Sequence, residues 1–385
     1  MARRAASTQA KTRQKAPGET DRRRVLVLQG GGALGSYQAG VFEALQHGDY
    51  EPDWVAGISI GAINAALICG NPPERRVERL RAFWERITSP VHVGMLPDAV
   101  RAFWEGQLGA WRAAALGQPG FFHPRAPADW LDGSTPTSYY DIAPLRRTLE
   151  EFVDFDLLND NGIRLSVGAT RIDTGTMVYF DTARTRIGPD HIMASGALPP
   201  GLPPVTIDGV AYWDGGLVSN TPLQYILAQT PRSDSLIFQV DLFPAEGEPP
   251  RSINETLERA KDIRYASHSR AAAVAEGERH NLRTLAADLL DHLPDTLAEN
   301  GLIGRLRAAA CPTRMDVMHL VYRPERPLGA DKDYQFDRFS AKTRWQTGHR
   351  DAANALAAAP WRAPHEPGVG FRRFDLVDGQ EPERS

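Results

Sequence analysis

Asp53-Trp54-Val55-Ala56-Gly57-Ile58-Ser59-Ile60-Gly61-Ala62-Ile63-Asn64-Ala65-Ala66 reads as an apolar strand, a sharp turn and the start of a helix, with Ser59 at the turn. Gly57 and Gly61 stand two places either side of it. Small residues there let the backbone turn tightly while neighbouring elements pack close, leaving the hydroxyl exposed, as a nucleophile elbow requires. The helix that follows brings the positive end of its dipole beneath the same hydroxyl. A plain strand-to-helix turn has the same pattern, so the role of Ser59 has to be decided by the rest of the chain.

Upstream, Val25-Leu26-Val27-Leu28 is a short apolar strand running into Gln29-Gly30-Gly31-Gly32-Ala33-Leu34-Gly35, after which Tyr37, Val41, Phe42 and Leu45 recur at helical spacing. Two readings compete for this strand, glycine loop and helix. Gly30-x-Gly32-x-x-Gly35 matches a dinucleotide fingerprint, with Asp53 18 residues beyond Gly35 as a ribose-binding acid. Alternatively, the amides of Gly30, Gly31 and Gly32 beside a helix N-terminus form an oxyanion hole. No Lys-Ser/Thr follows the glycines, which removes the phosphate-loop NTPases.

Downstream, Arg164–Thr170 and Thr176–Phe180 read as strands joined through Asp173-Thr174-Gly175, with Asp173 and Asp181 as turn residues. A Pro/Gly-dense segment, 194–205, leads to Val210-Ala211-Tyr212-Trp213-Asp214-Gly215-Gly216 and then Asn220 and Pro222. Asp214 thus sits at a strand end with backbone free to approach it, either as an exposed carboxylate or as an Asp-Gly turn. Leu236–Leu242 supplies a further strand.

The 385 residues carry 44 Lys+Arg against 48 Asp+Glu, a net charge of −4, so the molecule as a whole is no electrostatic trap for nucleic acid. Residues 1–23 are the exception. The first 24 positions hold eight Lys/Arg against Glu19 and Asp21, with no apolar stretch before Val25, which reads as a disordered basic tail or an anionic-surface tether and lacks the apolar segment of a secretory signal. Two distant cysteines, Cys69 and Cys311, exclude a disulfide framework and fit a cytoplasmic setting.

Between Pro72 and Trp130 the chain is helical in period and rich in aromatics; Val100, Phe103, Trp104, Leu108, Trp111 and Ala115 share one face, either packed on the domain or serving as a lid for an acyl chain. Residues 119–144 read as a loop. Beyond 244 the character changes: a Pro249-Pro250 linker, a polar helix over 254–278, a strand over 315–322, a helix over 339–359, a peripheral stretch from Pro360, and histidines (His268, His280, His292, His319, His349, His365) expected at the surface.

Taken together, the glycine loop after the first strand, Gly57-Ile58-Ser59-Ile60-Gly61, and Asp214-Gly215-Gly216 with Asn220 and Pro222 resemble the patatin-like phospholipases. The resemblance implies a three-layer α/β/α fold with a mainly parallel central sheet over 24–243, followed by a C-terminal α-rich extension over 244–385. It implies a serine acyl hydrolase with Ser59 as nucleophile, Asp214 as its base and the Gly30–Gly32 amides as oxyanion hole, with no cofactor or metal. The substrate is then a lipid or another hydrophobic ester, including storage polyesters such as polyhydroxyalkanoate, met by peripheral contact with a membrane or lipid granule. Leu34 stands where the family usually places Arg or Lys. As base, Asp214 is expected to have a raised pKa through desolvation beside Tyr212 and Trp213. The rival assignments are a Ser-His-Asp triad using Asp241 and a late histidine, a nucleotide-binding regulator, and a non-catalytic lipid-binding scaffold.

Overall fold

Val25 to Leu28 are buried on both sides: Leu26 and Leu28 enter one apolar core, Val25 and Val27 a second. A strand covered on both faces has to be apolar at every position, hence the continuous run. The computed structural model describes residues 22–88, 115–130, 136–160, 162–294, 301–375 and 383–384, apart from the side chains of 267–272 and 383–384. In it this strand, β1 (Arg23–Leu28), lies in the middle of a ten-stranded sheet.

The chain continues through α1 (Ser36–His47), β2 (Trp54–Ile58), α2 (Ile60–Cys69) and α3 (Arg76–Ile87) to a small hairpin of β3 (His123–Pro124) and β4 (Tyr140–Asp141). Next come α4 (Ala143–Phe152), α5 (Phe155–Asp160), β5 (Arg164–Arg171), β6 (Met177–Asp181), α6 (Pro189–Ser195), β7 (Val205–Ile207), β8 (Val210–Asp214), α7 (Leu223–Ala228) and β9 (Ser235–Asp241). The last part holds α8 (Ile253–Asp291), α9 (Gly301–Ala309), β10 (Met315–Val321), α10 (Arg338–Ala358), β11 (Phe371–Asp375) and β12 (Glu383–Arg384).

The sheet order is β12-β11-β10-β9-β1-β2-β5-β8-β7, with β6 also on β5. Pairing is parallel from β11 through to β5 and antiparallel only toward the flanks. One face is covered by α1, α2, α3 and α10, the other by α7 and α8. This is the expected three-layer α/β/α arrangement. From β1 the chain fills one side of the sheet through β2 and β5 and the other through β9, so a crevice opens at the carboxyl ends of the central strands, where ligands bind in such sheets.

The division expected at residue 244 differs from what the sheet shows. β10 pairs with β9 along its whole length, from Met315↔Ser235 to Val321↔Asp241, and β11 pairs with β10. Residues beyond 244 therefore finish the sheet whose other strands come from the preceding part. The stretch from Pro360, read as peripheral, contains β11 with Phe374 buried. The polar helix runs well past 278, to Asp291. Asp181, read as a turn residue, is buried at the end of β6, where Arg164 grips it in a two-pronged ion pair and Ser166 and Tyr225 donate to it. Of the basic tail, residues 1–21 lie outside the described residues, as does the aromatic face from Val100 to Trp111. Among the described residues no helix is long and apolar enough to cross a membrane.

The crossing of α1 and α10 ties the two parts of the chain together. A Cβ on Gly40 would overlap the Trp345 carbonyl, and one on Gly348 would overlap the Tyr37 carbonyl, so the two helices touch backbone to backbone. Forcing a branched side chain into a packed interior costs about 1–3 kcal/mol or more. Gly348→Val is expected to lower the unfolding free energy by at least that much, read as a lower urea midpoint in a single transition; an unchanged midpoint would show that the crossing is looser than this.

Candidate active site

The elbow forms for local reasons. β2 ends at Ile58, α2 begins at Ile60, and Ser59 between them has φ 56° and ψ −124°, a conformation that L-residues rarely adopt. The glycines either side permit it: a Cβ on Gly57 would run into the Gly61 carbonyl, and one on Gly61 into the Leu28 carbonyl. The Ser59 N–H donates to Ser195 Oγ (2.9 Å), which in turn donates to the Gly168 carbonyl (2.6 Å). Ser195, fully buried, pins the strained residue from the neighbouring α6. In sequence it is hidden in a Pro/Gly-dense segment, and nothing in its spacing marks it.

Asp214 ends β8, 3% exposed, with its backbone held by Thr170 Oγ1 and by the Ala197 carbonyl. Its carboxylate accepts the Gly216 N–H (2.7 Å), and the Ser59 side chain lies close enough to lower its pKa as well. Burial pushes its pKa up to about 6, against the lowering effect of those two groups. The direction is as expected; the cause is burial in the crevice, since strand alternation turns Trp213 to the opposite face from Asp214.

The glycine loop needs one correction. The Gly30 N–H is already spent on the Asn220 carbonyl (3.0 Å), which leaves the amides of Gly31 and Gly32 as the donors of the three without a partner among the described residues. Asn220 closes the clamp by donating to the Gly30 carbonyl (2.9 Å), and its Oδ1 lies where a Cβ on Gly30 or Gly216 would be. Beneath the loop runs a buried amide chain. Gln29 Oε1 accepts the N–H groups of Leu242 and Phe243 (2.6 and 3.2 Å), Gln38 donates to the Gln29 carbonyl (2.6 Å), Asn64 donates to Gln38 (3.0 Å), and Trp84 donates to Asn64 (3.1 Å). Gln29, Gln38 and Asn64 are polar residues at core positions of an otherwise apolar pattern, a signal legible in sequence once the elements are known. Leu34 faces the core and is fully buried, so an apolar side chain suits its position.

Ser59, Asp214 and the glycine loop line one cavity of about 590 Å³, a size ordinary for small-ligand sites. Its walls are mostly apolar: Ile60 and Ile63 from α2, Phe121, Phe122 and Tyr140 from the hairpin region, Leu198 and Leu202, and Phe243. Tyr265 of α8 and the segment Asp331, Asp333, Tyr334, Phe336 come from beyond residue 244. The Asp333 carbonyl sits directly against Gly32, where a Cβ would strike it. Two buried cations hold this segment: Lys332 between Glu258 and Asp262 (3.1 and 2.6 Å), and Arg344, which donates to the carbonyls of Ala33 and Gln335 (3.3 and 3.0 Å). Of the aromatics before residue 130, Phe83 and Trp84 pack into the core while Phe121 and Phe122 reach the cavity.

The rival assignments fare differently. Asp241 and His319 do meet, at 2.9 Å, and Gln239, Thr221 and Asp375 complete a buried network around them. Neither lines the cavity, whereas Asp214 lines it together with Ser59 and is the carboxylate that Ser59 acts on. His280, His319 and His365 have buried side chains rather than surface ones, because each satisfies a carbonyl or carboxylate inside. Asp53 precedes β2 and accepts the Arg24 N–H (2.8 Å), at the opposite end of the sheet from the glycine loop, out of reach of any ribose bound there.

The family model described as patatin-like phospholipase matches residues 26–227, just over half of the chain. The chain belongs to the patatin-like phospholipase family. A second model, described as patatin phospholipase, matches residues 263–368, the part that brings Tyr265 and the 331–336 wall to this cavity. The chain is similar to the lysophospholipase NTE1 of Yarrowia lipolytica, 26% identical over 247 residues, which are 61% of this chain and 14% of that much longer protein. Among solved structures it is similar to VipD from Legionella pneumophila, with 13% identity, 88% of this chain and 67% of that one covered, and a TM-score of 0.35. The type III effector ExoU is a further one, with 13% identity, 88% and 53% covered, and a TM-score of 0.31.

Proposed function

We propose that this patatin-like phospholipase is a serine acyl hydrolase of hydrophobic carboxylic esters, working through Ser59 and Asp214. The observation that carries this reading is the placing of the strained Ser59 beside the buried Asp214 on the wall of one apolar cavity. Asp214 takes the Ser59 proton as Oγ attacks the ester carbonyl, and the Gly31 and Gly32 amides, with the amino end of α2, receive the negative charge on the carbonyl oxygen. Collapse of the tetrahedral intermediate expels the alcohol, which takes the proton from Asp214, and leaves an acyl-Ser59 ester. Water then attacks with Asp214 again as base, releasing the fatty acid and restoring the serine.

The likeness to a lysophospholipase supports a lipid ester as substrate, and the mouth of the cavity suits a lipid surface. Tyr139 and Tyr334 on its wall are exposed, Tyr139 stacks on the half-exposed Trp130, and Leu217 and Val218 stand out just past Asp214. Aromatic side chains with one wet end favour such interfaces.

The test is labelling by a fluorophosphonate as a function of pH. Only the carboxylate form of Asp214 can accept the proton, so labelling at Ser59 is expected to rise with pH to a plateau with a midpoint near its pKa of about 6, and to be lost as pH falls below it. Labelling at another residue, or a flat rate across that window, would overturn the assignment.

A further inference from the structure

The described residues that line the catalytic cavity include three aspartates, Asp214, Asp331 and Asp333, and no Lys, Arg or His. For a site acting on lipids this balance is informative, because an apolar cavity screens charge poorly and every charge on its wall is felt by the substrate. The carboxylate of Asp331 forms no ion pair among the described residues, while that of Asp333 is held by Lys261 (2.5 Å). The neighbouring cations are engaged behind the wall. Lys261 also donates to the Ala330 carbonyl and lies over the Tyr334 ring, Lys332 is wedged between two carboxylates, and Arg344 points its donors at carbonyls. Burial and then the charge of Asp333 push the ionisation of Tyr265 and Tyr334 upward, and Asp214 adds to the effect on both, so these carboxylates act on one shared space.

We propose that the site selects esters by the charge of their alcohol portion, accepting neutral or cationic alcohols and turning away anionic ones, with Asp331 and Asp333 as the specificity-determining residues. This rests on the reading that Ser59 attacks an ester in this cavity. The acyl chain is uncharged and fills the apolar part, so any charge on the substrate belongs to the alcohol side. A cation there meets carboxylates and tyrosine faces, both attractive to it. A phosphate monoester or other anionic group meets like charge and, among the described lining residues, no basic partner. Both selecting residues come from the region beyond 244, which makes that region part of the specificity apparatus.

The test uses three octanoate aryl esters matched in size, carrying a nitro, a trimethylammonium or a sulfonate group on the phenol. kcat/KM is measured at low and high salt and referred to the hydroxide-catalysed rate of each ester, which removes intrinsic reactivity. The wild type is expected to favour the cationic over the anionic ester by about tenfold at low salt, the scale of one or two partly screened charges, with the preference shrinking as salt rises. Asp331→Asn should lower the cation-to-anion ratio severalfold and Asp331→Glu should keep it. Lys261→Gln, which unmasks Asp333, should raise it. Opposite shifts in Asp331→Asn and Lys261→Gln cannot both come from a damaged fold. A wild-type ratio of one, or shifts of the same sign in those two variants, would overturn the proposal. Fluorophosphonate labelling of Ser59 in the same preparations separates the cases: labelling with a flat charge preference removes only the selectivity, whereas absent labelling removes the catalytic reading beneath it.

Discussion

Asp214→Asn is expected to be a nearly inactive protein that is more stable than the wild type. The amide keeps the size of the carboxylate, and its oxygen can still accept the Gly216 N–H that the carboxylate holds at 2.7 Å. What it loses is the capacity to take a proton, and positioned general bases contribute on the order of 10²–10⁴ in rate, so turnover of a p-nitrophenyl ester should fall by about that factor with KM little changed. The stability gain follows from the same burial that makes Asp214 a useful base. Its pKa is raised to about 6 from 3.8, so across that window the folded protein holds a proton that the unfolded chain releases. Stability of the wild type therefore falls as pH rises through the window, and above it the whole cost of a desolvated carboxylate is present, about 3 kcal/mol for a shift of this size. Asparagine carries no such cost. Urea unfolding at pH 8 should show the variant more stable by up to that amount, with the difference vanishing below about pH 4, where both states of the wild type are protonated. A variant less stable than the wild type at pH 8, or one retaining most of its turnover, would contradict this account.

Ser59 carries the second large effect. Ser59→Ala should lose fluorophosphonate labelling and reduce turnover by roughly 10⁵ or more, the scale seen when a nucleophile is removed from a serine hydrolase. Ser59→Gly should be equally inactive and yet fold more tightly than Ser59→Ala. The reason is the backbone: at φ 56° and ψ −124° any residue with a Cβ is strained, by about 1–3 kcal/mol, and glycine alone is not. Glycine gives back about 0.4–1 kcal/mol through the freedom of the unfolded chain, leaving a net gain of about 1 kcal/mol over alanine. Thermal or urea midpoints of the two variants compare them directly, and an alanine variant as stable as the glycine one would mean that the elbow stores no strain.

These two residues show a site that is held against its own preferences. A carboxylate is buried without a cation beside it among the described residues, and a serine sits in a glycine conformation; both are supported from outside. Ser195 fixes the elbow, Asn220 fixes the glycine loop against Gly216, and the Gln29–Gln38–Asn64–Trp84 chain fixes the loop from below. Lys332 and Arg344 fix the wall that the later part of the chain lays over Gly32.

Much of this was readable from the residues alone. The Gly57-x-Ser59-x-Gly61 turn, the apolar run at Val25–Leu28 and the Asp214-Gly215-Gly216 strand end each follow from short-range chemistry: which residues can turn, which must be buried on both faces, which can approach a backbone. Their order along the chain carried the family and the three-layer α/β/α class. What those local patterns could not contain is pairing across hundreds of residues. That β10 and β11 continue the same sheet past residue 244, that Gly40 and Gly348 let two helices touch, and that Asp331 and Tyr334 meet Ser59 in one cavity depend on register and packing between distant segments. The same holds for the Gly30 amide, which local geometry offers to an oxyanion and tertiary structure gives to Asn220. A residue's chemical capacity is local, but whether a donor is free, a carboxylate desolvated or a histidine buried is set by its neighbours in space, and only the folded chain brings those together.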